Sequence, residues 1–582
     1  MIKLMKNFSA KHWLINIIVI LLVIVQSVSL LQITNNLNTL LYYSQNSGLS
    51  DAKEMITKTS LIMIGYALLA GSLTVLVTYL SSYISSEFGR IIRKKIYSKV
   101  QNFSIEEINK FSTASLITRS TNDVTQVQNT VGLLLRSAFS GPIMAVGGVI
   151  MARQISTNIT LVSVIVVVIA ILISFFTMLF IVVFPRFSII QKLTDKLNLV
   201  TRENLTGLRV IRALNCQTEE QKKFEAVNEK VRKQNIFVNR MFALFNPFMT
   251  LMIGGSSLSI IWIGAYIVSK GELEVNSMFT FQQFGITIIF SFMSVIMLFV
   301  MIPRANVSGK RINEVLETET KIKDPEEESV LTESGTIEFN NVSFSYPEAL
   351  EPTLENISFN IEKGQTCAFI GGTGSGKSTL INLIPRLFNA TSGTVKVDGV
   401  DIRKINQKTL REKIGYIPQK GVLFSGTVKS NLLFGKEDAT DDEINEAIKI
   451  SQAEEFVSSL DKGLDAPISQ GGTNVSGGQK QRLNIARAII KKPEIYIFDD
   501  TFSALDFKTD KLLRKALKEK TKNATKLIVA QRIGTIIDAD QIVVLDQGKI
   551  VGKGNHKYLM NNCEVYREIA YSQLSKEELE NE

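Results

Sequence analysis

One glycine-rich stretch decides the fold of this chain: Gly371-Gly372-Thr373-Gly374-Ser375-Gly376-Lys377-Ser378-Thr379. It follows an apolar run typical of a strand, residues 366–370, and precedes a run typical of a helix, residues 380–384. In that setting the glycines let backbone N–H groups converge on phosphate oxygens, and the N-terminus of the helix adds to the attraction for an anion. Lys377 is expected to reach the terminal phosphates, and the Ser378 hydroxyl to bind magnesium. The stretch therefore predicts a nucleoside-triphosphate site.

The composition indicates a membrane-bound chain of several domains. With 582 residues the chain is too long for one hydrophobic core, and its long uncharged apolar runs fall within roughly the first 300 residues. The net charge of +10 does not indicate nucleic-acid binding, because lysines and arginines cluster beside the apolar runs, as at residues 90–99. The three cysteines are far apart and lack C-x-x-C spacing, so neither a disulfide framework nor a zinc site is expected.

Six apolar runs are each long enough to cross a bilayer as a helix, which needs about 20 residues. They lie at about 13–33, 61–80, 131–152, 161–184, 241–268 and 278–302. The third contains Arg136, which we expect at the cytosolic edge of the membrane. Six spans put both termini on one side, and three lysines precede the first span. Both termini and the segments 81–130 and 185–240 are therefore predicted to be cytoplasmic.

The spans favour an apolar rather than an ionic pathway. Apart from Arg136 they carry no charged residue, which argues against ion or proton transport. The sixth span holds aromatic, methionine and amide side chains that suit varied apolar ligands, namely Phe281, Gln282, Gln283, Phe284, Phe290, Phe292, Met293 and Met297. Most of them are expected to pack between helices or to face lipid, with a minority contacting a transported compound.

The glycine loop belongs to a domain predicted over residues 335–575. A transmembrane domain over 1–320 and an exposed linker over 321–334 precede it, and a tail over 576–582 follows. Strand-like runs mix with helical ones in this domain, at 336–344, 394–397, 494–498, 526–530 and 541–545. This pattern indicates an α/β domain on a largely parallel sheet. The predicted fold class is a multi-domain membrane protein, in which an all-α domain of six spans is followed by an α/β P-loop ATPase domain.

Two further motifs complete the predicted nucleotide site. The apolar strand 495–498 ends in Asp499, and an acid at that place in a P-loop fold holds magnesium. Between the loop and this strand lies Ser476-Gly477-Gly478-Gln479, directly before a helix. Its hydroxyl and free N–H groups are suited to a second phosphate.

These motifs, in this order, resemble the ABC transporters of the exporter type, and the resemblance covers nearly the whole chain. It implies a half-transporter, with one membrane domain and one nucleotide-binding domain in a single polypeptide, and an ATPase that uses ATP and Mg²⁺ for translocation. Ser476–Gln479 resembles the family signature. Tyr346 resembles the aromatic residue that stacks on adenine, and Gln419 the glutamine that contacts magnesium and the membrane domain.

Segments outside the glycine loop match as well. Residues 503–506 resemble the loop that crosses to the partner domain. Residues 115–124 and 203–213 are similar to cytoplasmic segments whose helical tips couple the two halves of these exporters. In the family each ATP lies between the glycine loop of one subunit and the signature of the other, so the implied partner is a second half-transporter.

Two positions depart from the family pattern. The family places a glutamate after the magnesium acid, as the base that polarises the attacking water, and this chain has Asp500. The family places a histidine that contacts the γ-phosphate after the next core strand, and this chain has Gln531. The two histidines of the chain, His12 and His556, lie in the wrong places to substitute. Binding of ATP through Lys377 is expected to survive while hydrolysis slows.

The departures predict how the subunits are paired. Asp500 and Gln531 would both face the ATP held by the chain's own glycine loop, whereas the intact signature would serve the partner's site. We therefore expect a heterodimeric, multidrug-type exporter of a bacterial cytoplasmic membrane, in which this site is degenerate and the partner supplies the glutamate and the histidine. The transported compound is expected to be apolar or amphipathic: a drug, a lipid or a peptide. Two alternatives remain, a homodimeric lipid flippase and a subunit in which ATP gates a channel or regulatory complex without transport.

Overall fold

Long helices form the first half of the chain and a sheet-containing domain the second. The computed structural model describes residues 2–573 apart from Asn7, Thr157, Val330, Thr332, Glu333 and Glu348. Two units are distinguished by their internal contacts. The first comprises Met1–Gln101 and Thr113–Thr318, and the second comprises Asn102–Ser112 and Glu319–Glu582.

The helices of the first half have the following bounds. They are α1 Ile2–Met5, α2 Ala10–Gln45, α3 Ala52–Gln101, α4 Ile105–Phe111, α5 Thr113–Thr118, α6 Val124–Ser137, α7 Ser140–Ile155, α8 Ile159–Thr206, α9 Leu208–Ala213, α10 Gln217–Ala243, α11 Phe245–Ser269 and α12 Val275–Glu317. A π-helical turn, Arg119–Asp123, joins α5 to α6. Of these helices, α4 belongs to the second unit.

The helical membrane domain predicted from the sequence is confirmed. Within the described residues, five helical stretches are long and apolar enough to cross a membrane: Ala10–Gln45, Ala52–Gln101, Thr113–Ile155, Thr160–Thr206 and Gln217–Ser269. The sixth predicted run, 278–302, lies inside α12, which is 43 residues long. The helices extend well beyond the apolar runs, because polar turns continue them outside the hydrocarbon layer.

The third predicted span is two helices rather than one. The helix α6 ends at Ser137 and α7 begins at Ser140, so residues 138–139 interrupt the run 131–152. Pro142 then sits in the first turn of α7, where its missing N–H costs no helical hydrogen bond. Arg136 closes α6 and donates from Nε to the Gly132 carbonyl at 3.1 Å. Because Pro142 has no N–H to donate to the carbonyl four residues earlier, at residue 138, the helical hydrogen bonding is interrupted there.

The second half of the chain contains all twelve strands assigned within the described residues. They are β1 Ile337–Phe344, β2 Leu354–Ile361, β3 Thr366–Gly371, β4 Ser392–Val397, β5 Val400–Asp401, β6 Ile414–Ile417, β7 Gly426–Thr427, β8 Pro467–Ile468, β9 Ile495–Asp499, β10 Thr525–Val529, β11 Gln541–Asp546 and β12 Lys549–Gly554. The helices are α13 Lys377–Leu383, α14 Gln407–Glu412, α15 Val428–Leu433, α16 Asp441–Ile450, α17 Glu454–Ser458, α18 Gly477–Ile490, α19 Phe507–Lys520, α20 Ile533–Ile536, α21 His556–Asn562 and α22 Glu564–Gln573.

The predicted parallel sheet is confirmed and positions the nucleotide motifs. Its six strands run in the order β12-β11-β3-β10-β9-β6, and every neighbouring pair is parallel except β11 with the edge strand β12. All five residues of β9 and of β10 are buried, as expected for inner strands of a parallel sheet. Val529 pairs with Asp499, and Val529 also pairs with Phe369. The carboxyl ends of β3, β10 and β9 therefore lie side by side, and the loops that follow them share one edge. The other large sheet has four strands in the order β2-β1-β4-β5.

The segment predicted as an exposed linker is tied to the second unit through its backbone and acids. Residues 321 and 323–328 are exposed or partly exposed, but Ile322 is buried. Lys321 N donates to Glu107 Oε1 at 3.2 Å, and the Gln407 backbone N donates to Asp324 Oδ1 at 2.9 Å. Arg386 Nη2 also donates to the Lys323 carbonyl, at 3.1 Å. The linker is therefore held at several points.

Candidate functional site

The glycine loop between β3 and α13 requires glycine at two positions for steric reasons. Gly376 has φ +97°, in the left-handed region, and a Cβ there would come within 2.7 Å of Leu354 Cδ2. A Cβ on Gly371 would collide with the carbonyl oxygen of Leu545 on the neighbouring strand β11. Any other residue at Gly371 would displace backbone, and at Gly376 it would need both a left-handed backbone and a shift of the Leu354 side chain. The loop is thus held in a tight cradle between the strand and the helix.

Lys377, the first residue of α13, directs its ammonium group back along this loop. Its Nζ donates to the carbonyls of Gly371 at 2.8 Å and Gly372 at 2.7 Å, and to Ser375 Oγ at 3.3 Å. Burial lowers the pKa of the Lys377 ammonium, and the carboxylates of Asp500 and Asp499 partly oppose that shift. The cation is therefore fixed at the mouth of the cradle, with two carboxylates in its surroundings.

Ser378 and Asp499 lie against each other at the edge of the sheet. Ser378 Oγ donates to Asp499 Oδ1 at 2.7 Å, and Asp499 is buried at the end of β9. Burial raises the pKa of Asp499, against the hydrogen bond from Ser378, which lowers it. A hydroxyl and a carboxylate oxygen this close are hard oxygen donors of the kind that Mg²⁺ prefers. The residues present thus fit a magnesium ion.

Asp500 is the acceptor for two side-chain amides. Gln531 Nε2 donates to Asp500 Oδ2 at 2.9 Å, and Gln419 Nε2 donates to the same oxygen at 3.1 Å. The residue has φ +46°, a left-handed conformation that is unusual outside glycine, and it is buried. Its own backbone is fixed by a bond from its N–H to the Val529 carbonyl at 3.1 Å. The two departures from the family pattern are therefore in direct contact.

Tyr346 forms an aromatic cluster beside the helix that follows the loop. Its hydroxyl lies 3.0 Å from Thr379 Oγ1. Its ring packs edge-on against Phe344 and Phe388, with ring centroids 4.9 and 5.4 Å away. The side chain is about one-third exposed, at 36%. This packing fixes the ring near the loop and leaves part of it open to a base.

The Ser476-Gly477-Gly478-Gln479 segment begins α18. Ser476 Oγ accepts from the Gln479 backbone N–H at 3.3 Å, and Gln479 Oε1 accepts from the Ser476 N–H at 2.8 Å, which is a capping box. Each of the two side chains thus bonds the backbone N–H of the other residue. Ser476 is exposed, and no heavy atom lies within 4 Å of the place where a Cβ of Gly477 would be. The segment is a rigid, open helix N-terminus.

The structure also places residues that the sequence analysis did not single out. Tyr416 donates to Asn382 Oδ1 at 2.9 Å, and burial raises the pKa of its hydroxyl, with the Asp499 carboxylate adding to the effect. Gln573, the last residue of α22, bonds to the backbone at Gln531. Neither residue belongs to a motif, and only the folded chain shows that they reach the site.

The side chains predicted to line a pathway in the sixth span differ in burial, and those of Gln282, Phe292 and Met293 are partly buried. Phe281 and Phe284 are fully buried and pack with Leu31 and Ile288. Phe290 is exposed, at 54%, and Gln283 is exposed as well. The side chain of Met297 lies outside the described residues. Phe281 and Phe284 therefore pack between helices of this chain.

Comparison with known proteins gives matches over both halves of the chain. The family model described as "ABC transporter transmembrane region" matches residues 13–303, and the one described as "ABC transporter" matches residues 354–503. An ABC transporter ATP-binding protein of Bacillus subtilis, YfiB, is 38% identical over 89% of this chain and 89% of its own length. The probable multidrug resistance ABC transporter ATP-binding/permease protein YheI, also of Bacillus subtilis, is 36% identical over 82% of each chain.

Two further matches are a curated relative and a solved structure. The ATP-dependent lipid A-core flippase of Syntrophus aciditrophicus is 30% identical over 90% of this chain and 87% of its own length. The solved structure of a bacterial Atm1-family ABC exporter with ATP bound superposes with a TM-score of 0.80, covering 96% of this chain and 97% of that one. At 20% identity the superposition shows the fold alone.

Proposed function

The chain belongs to the ABC transporter family, as an exporter-type member with fused transmembrane and ATP-binding domains, and from this premise we propose that it is one subunit of a heterodimer whose own ATP site is degenerate. It is a multi-pass membrane protein, and its ATPase activity is coupled to transport. Beyond this we assign the hydrolytic ATP site, the partner subunit and the class of transported compound.

The observation that carries the proposal is the double hydrogen bond on Asp500 Oδ2. A carboxylate oxygen has two lone pairs, and the amides of Gln419 and Gln531 engage both on Oδ2, so only the other oxygen, Oδ1, is left to accept a proton from water. Aspartate is also one methylene shorter than glutamate, and a displacement of about 1 Å costs on the order of 100-fold in rate. General-base catalysis is worth roughly 10²–10⁴-fold, so a large part of it would be lost.

Gln531 removes a second contribution to ATP hydrolysis, the one that a histidine would make at this position. An amide can hydrogen-bond a phosphate oxygen, but it carries no positive charge and cannot shuttle a proton as histidine does. In this chain its Nε2 is directed to Asp500 instead. Both substitutions therefore weaken cleavage, while the residues that bind the triphosphate are untouched.

The remaining residues of the site are suited to hold ATP and Mg²⁺. We assign the phosphates to the loop 371–379 with Lys377, and the adenine to the partly exposed ring of Tyr346. Ser378, Asp499 and Gln419 would hold the magnesium ion, which supplies charge neutralisation at the terminal phosphates when it is bound. The chain's own site then clamps the dimer around ATP rather than driving its cycle.

The partner is a second half-transporter that supplies the glutamate and the histidine. The exposed signature Ser476–Gln479 of this chain would complete the partner's hydrolytic site. The predicted coupling segment 203–213 presents exposed apolar side chains, among them Leu205 at 70% and Val210 at 60% exposure, as a docking tip requires. Both termini and the ATP-binding domain are assigned to the cytoplasm, and an apolar or amphipathic compound to the outward pathway.

The test restores the two missing groups in the purified chain. Asp500→Glu together with Gln531→His is expected to raise steady-state ATPase activity by at least about tenfold, since each substitution returns part of a general-base effect worth 10²–10⁴-fold. Lys377→Ala in the restored chain is the control and should abolish the gain. If the unmodified chain already hydrolyses ATP as fast as the restored chain, and Asp500→Asn abolishes that activity, the degenerate-site proposal is wrong.

A homodimeric lipid flippase is the second candidate, favoured by the relative named as a lipid A-core flippase. It predicts that the chain expressed alone forms a stable dimer and moves a labelled lipid across reconstituted vesicles when ATP is added. The heterodimer predicts instead that, when a second half-transporter is co-expressed, a mixed dimer forms in preference to a dimer of this chain alone. Mass determination of the detergent-solubilised protein in the two expressions separates these outcomes.

A further inference from the structure

Gln573, the last residue of α22, holds the segment that carries Gln531 through two hydrogen bonds of its side-chain amide. This pair of bonds is called the Gln573 grip. Gln573 Nε2 donates to the Gln531 carbonyl at 2.7 Å, and Gln573 Oε1 accepts from the Ile533 N–H at 2.8 Å. A planar amide carries both a donor and an acceptor, so it can make both bonds. A leucine at this position could make neither bond, and a carboxylate only the one to the Ile533 N–H.

The base from which Gln573 projects is fixed in the core. Tyr566 and Ala570 of the same helix are fully buried, and Tyr566 OH lies 2.8 Å from His556 Nδ1. Positions 566, 570 and 573 follow the spacing of four and three residues that brings side chains onto one face of a helix. Gln573 thus continues the anchored face of α22 outward to the nucleotide edge of the sheet.

The segment it grips has no cap of its own. The short helix α20 begins at Ile533, and its N-cap residue, Arg532, makes no side-chain capping bond. The first N–H groups of a helix have no partner within the helix. Gln573 Oε1 supplies that partner at Ile533, from an element 42 residues away along the chain from Gln531.

We propose that Gln573 is a positioning residue that sets residue 531 against Asp500. The chain of contacts runs from the buried face of α22 through the Gln573 amide to the backbone of Gln531, whose side chain then bonds Asp500 Oδ2 at 2.9 Å. The inference deepens the proposed function, because it assumes that the site at 371–379 holds ATP. By this proposal, α22 directly influences the ATP site.

The first test measures the grip itself and needs no ATPase activity. Hydrogen exchange of residues 531–536 is followed in the full-length protein in detergent, for wild type, Gln573→Leu and Ser572→Ala. Ser572 is the matched control, since among the described residues its hydroxyl bonds to α22 alone, at the Ile569 carbonyl 2.8 Å away. Gln573→Leu is expected to speed exchange about fivefold, which is what one hydrogen bond of ordinary net strength is worth. Exchange equal to that of Ser572→Ala would overturn the proposal.

The second test asks whether the grip positions residue 531 for chemistry. In the chain with Asp500→Glu and Gln531→His, adding Gln573→Leu is expected to lower kcat about tenfold or more with little change in KM for ATP, since misplacement by about 1 Å costs up to 100-fold. Gln573→Glu keeps an acceptor for Ile533 N–H but turns a second acceptor toward the residue 531 carbonyl. It should therefore lower kcat as Gln573→Leu does while keeping Ile533 protected from exchange.

The outcomes separate this inference from the one on which it rests. If Asp500→Glu with Gln531→His gains no ATPase activity, the degenerate-site proposal fails, whereas the exchange measurement still decides the grip. If the restored chain is active and Gln573→Leu has the kcat of Ser572→Ala, the positioning role is wrong.

Discussion

Gly376→Ala is the substitution whose effect the structure defines most closely. Gly376 has φ +97° and is the N-cap residue of α13. Holding alanine in the left-handed region costs about 1–2 kcal/mol. The new Cβ would lie 2.7 Å from Leu354 Cδ2 and 3.1 Å from the Thr353 carbonyl oxygen, which adds overpacking of about 1 kcal/mol. The sum is about 2–3 kcal/mol, or about 30- to 150-fold in an equilibrium constant.

This strain is released only when the loop leaves its cradle, so it should appear as weaker binding of ATP. The assay is titration of a fluorescent ATP analogue on the purified chain, which reports binding without turnover. Gly374→Ala is the matched control, because Gly374 has φ +84° but no heavy atom within 4 Å of the added Cβ. Gly374→Ala should weaken ATP binding only by the cost of the left-handed conformation, about 5- to 30-fold in affinity. Equal affinities for wild type and Gly376→Ala would refute the reasoning.

Two further predictions concern stability of the second unit. Lys413→Met removes the ammonium that bonds the buried Asp398 at 2.6 Å and should cost about 3 kcal/mol of unfolding free energy, read from hydrogen exchange of the buried strands. Hydrogen bonds from Lys436 and Lys492 hold the pKa of Glu443 at about 2, below its usual value of about 4.3. A lowered pKa stabilises the fold above the ordinary value, and that contribution is lost as the pH falls toward 2. The difference in Tm between wild type and Glu443→Gln should therefore be largest near pH 7 and shrink below about pH 4.

An exposed ion pair provides the control for both stability predictions. Lys408 lies 3.9 Å from Glu412, with side chains 86% and 64% exposed, so Lys408→Met should change the unfolding free energy by less than about 0.5 kcal/mol at any pH. A loss for Lys413→Met as small as this, or a Tm difference for Glu443→Gln that does not change with pH, would contradict the assignment of these groups.

Much of the ATP-binding domain could be predicted because its signals are local. The strand before the glycine loop was predicted over 366–370 and is Thr366–Gly371, and the acid strand was predicted over 494–498 and is Ile495–Asp499. A run of buried residues followed by a turn identifies such strands without knowledge of their neighbours. The short strands β5, β7 and β8, of two residues each, carry too little pattern to be found.

The contacts within the site depend on pairing, which the sequence does not display. Asp500 and Gln531 were each identified as departures, but their hydrogen bond follows from the register that sets Asp499 beside Val529. The two hydrogen bonds of the Gln573 amide depend on where α22 packs. In the membrane domain, composition marks the apolar part of each helix but not where the helix ends. The predicted run 61–80 is therefore only the middle of a helix that spans Ala52–Gln101.

The fate of ATP held by the chain's own glycine loop tests the central claim most directly. The purified chain is loaded with a photo-crosslinkable ATP that is radiolabelled on the α-phosphate in one sample and on the γ-phosphate in another, incubated, and then irradiated. If Asp500 and Gln531 make the site degenerate, both labels stay on the protein for far longer than one turnover of the Asp500→Glu, Gln531→His chain. Loss of the γ label at the same rate as in that restored chain would contradict the account.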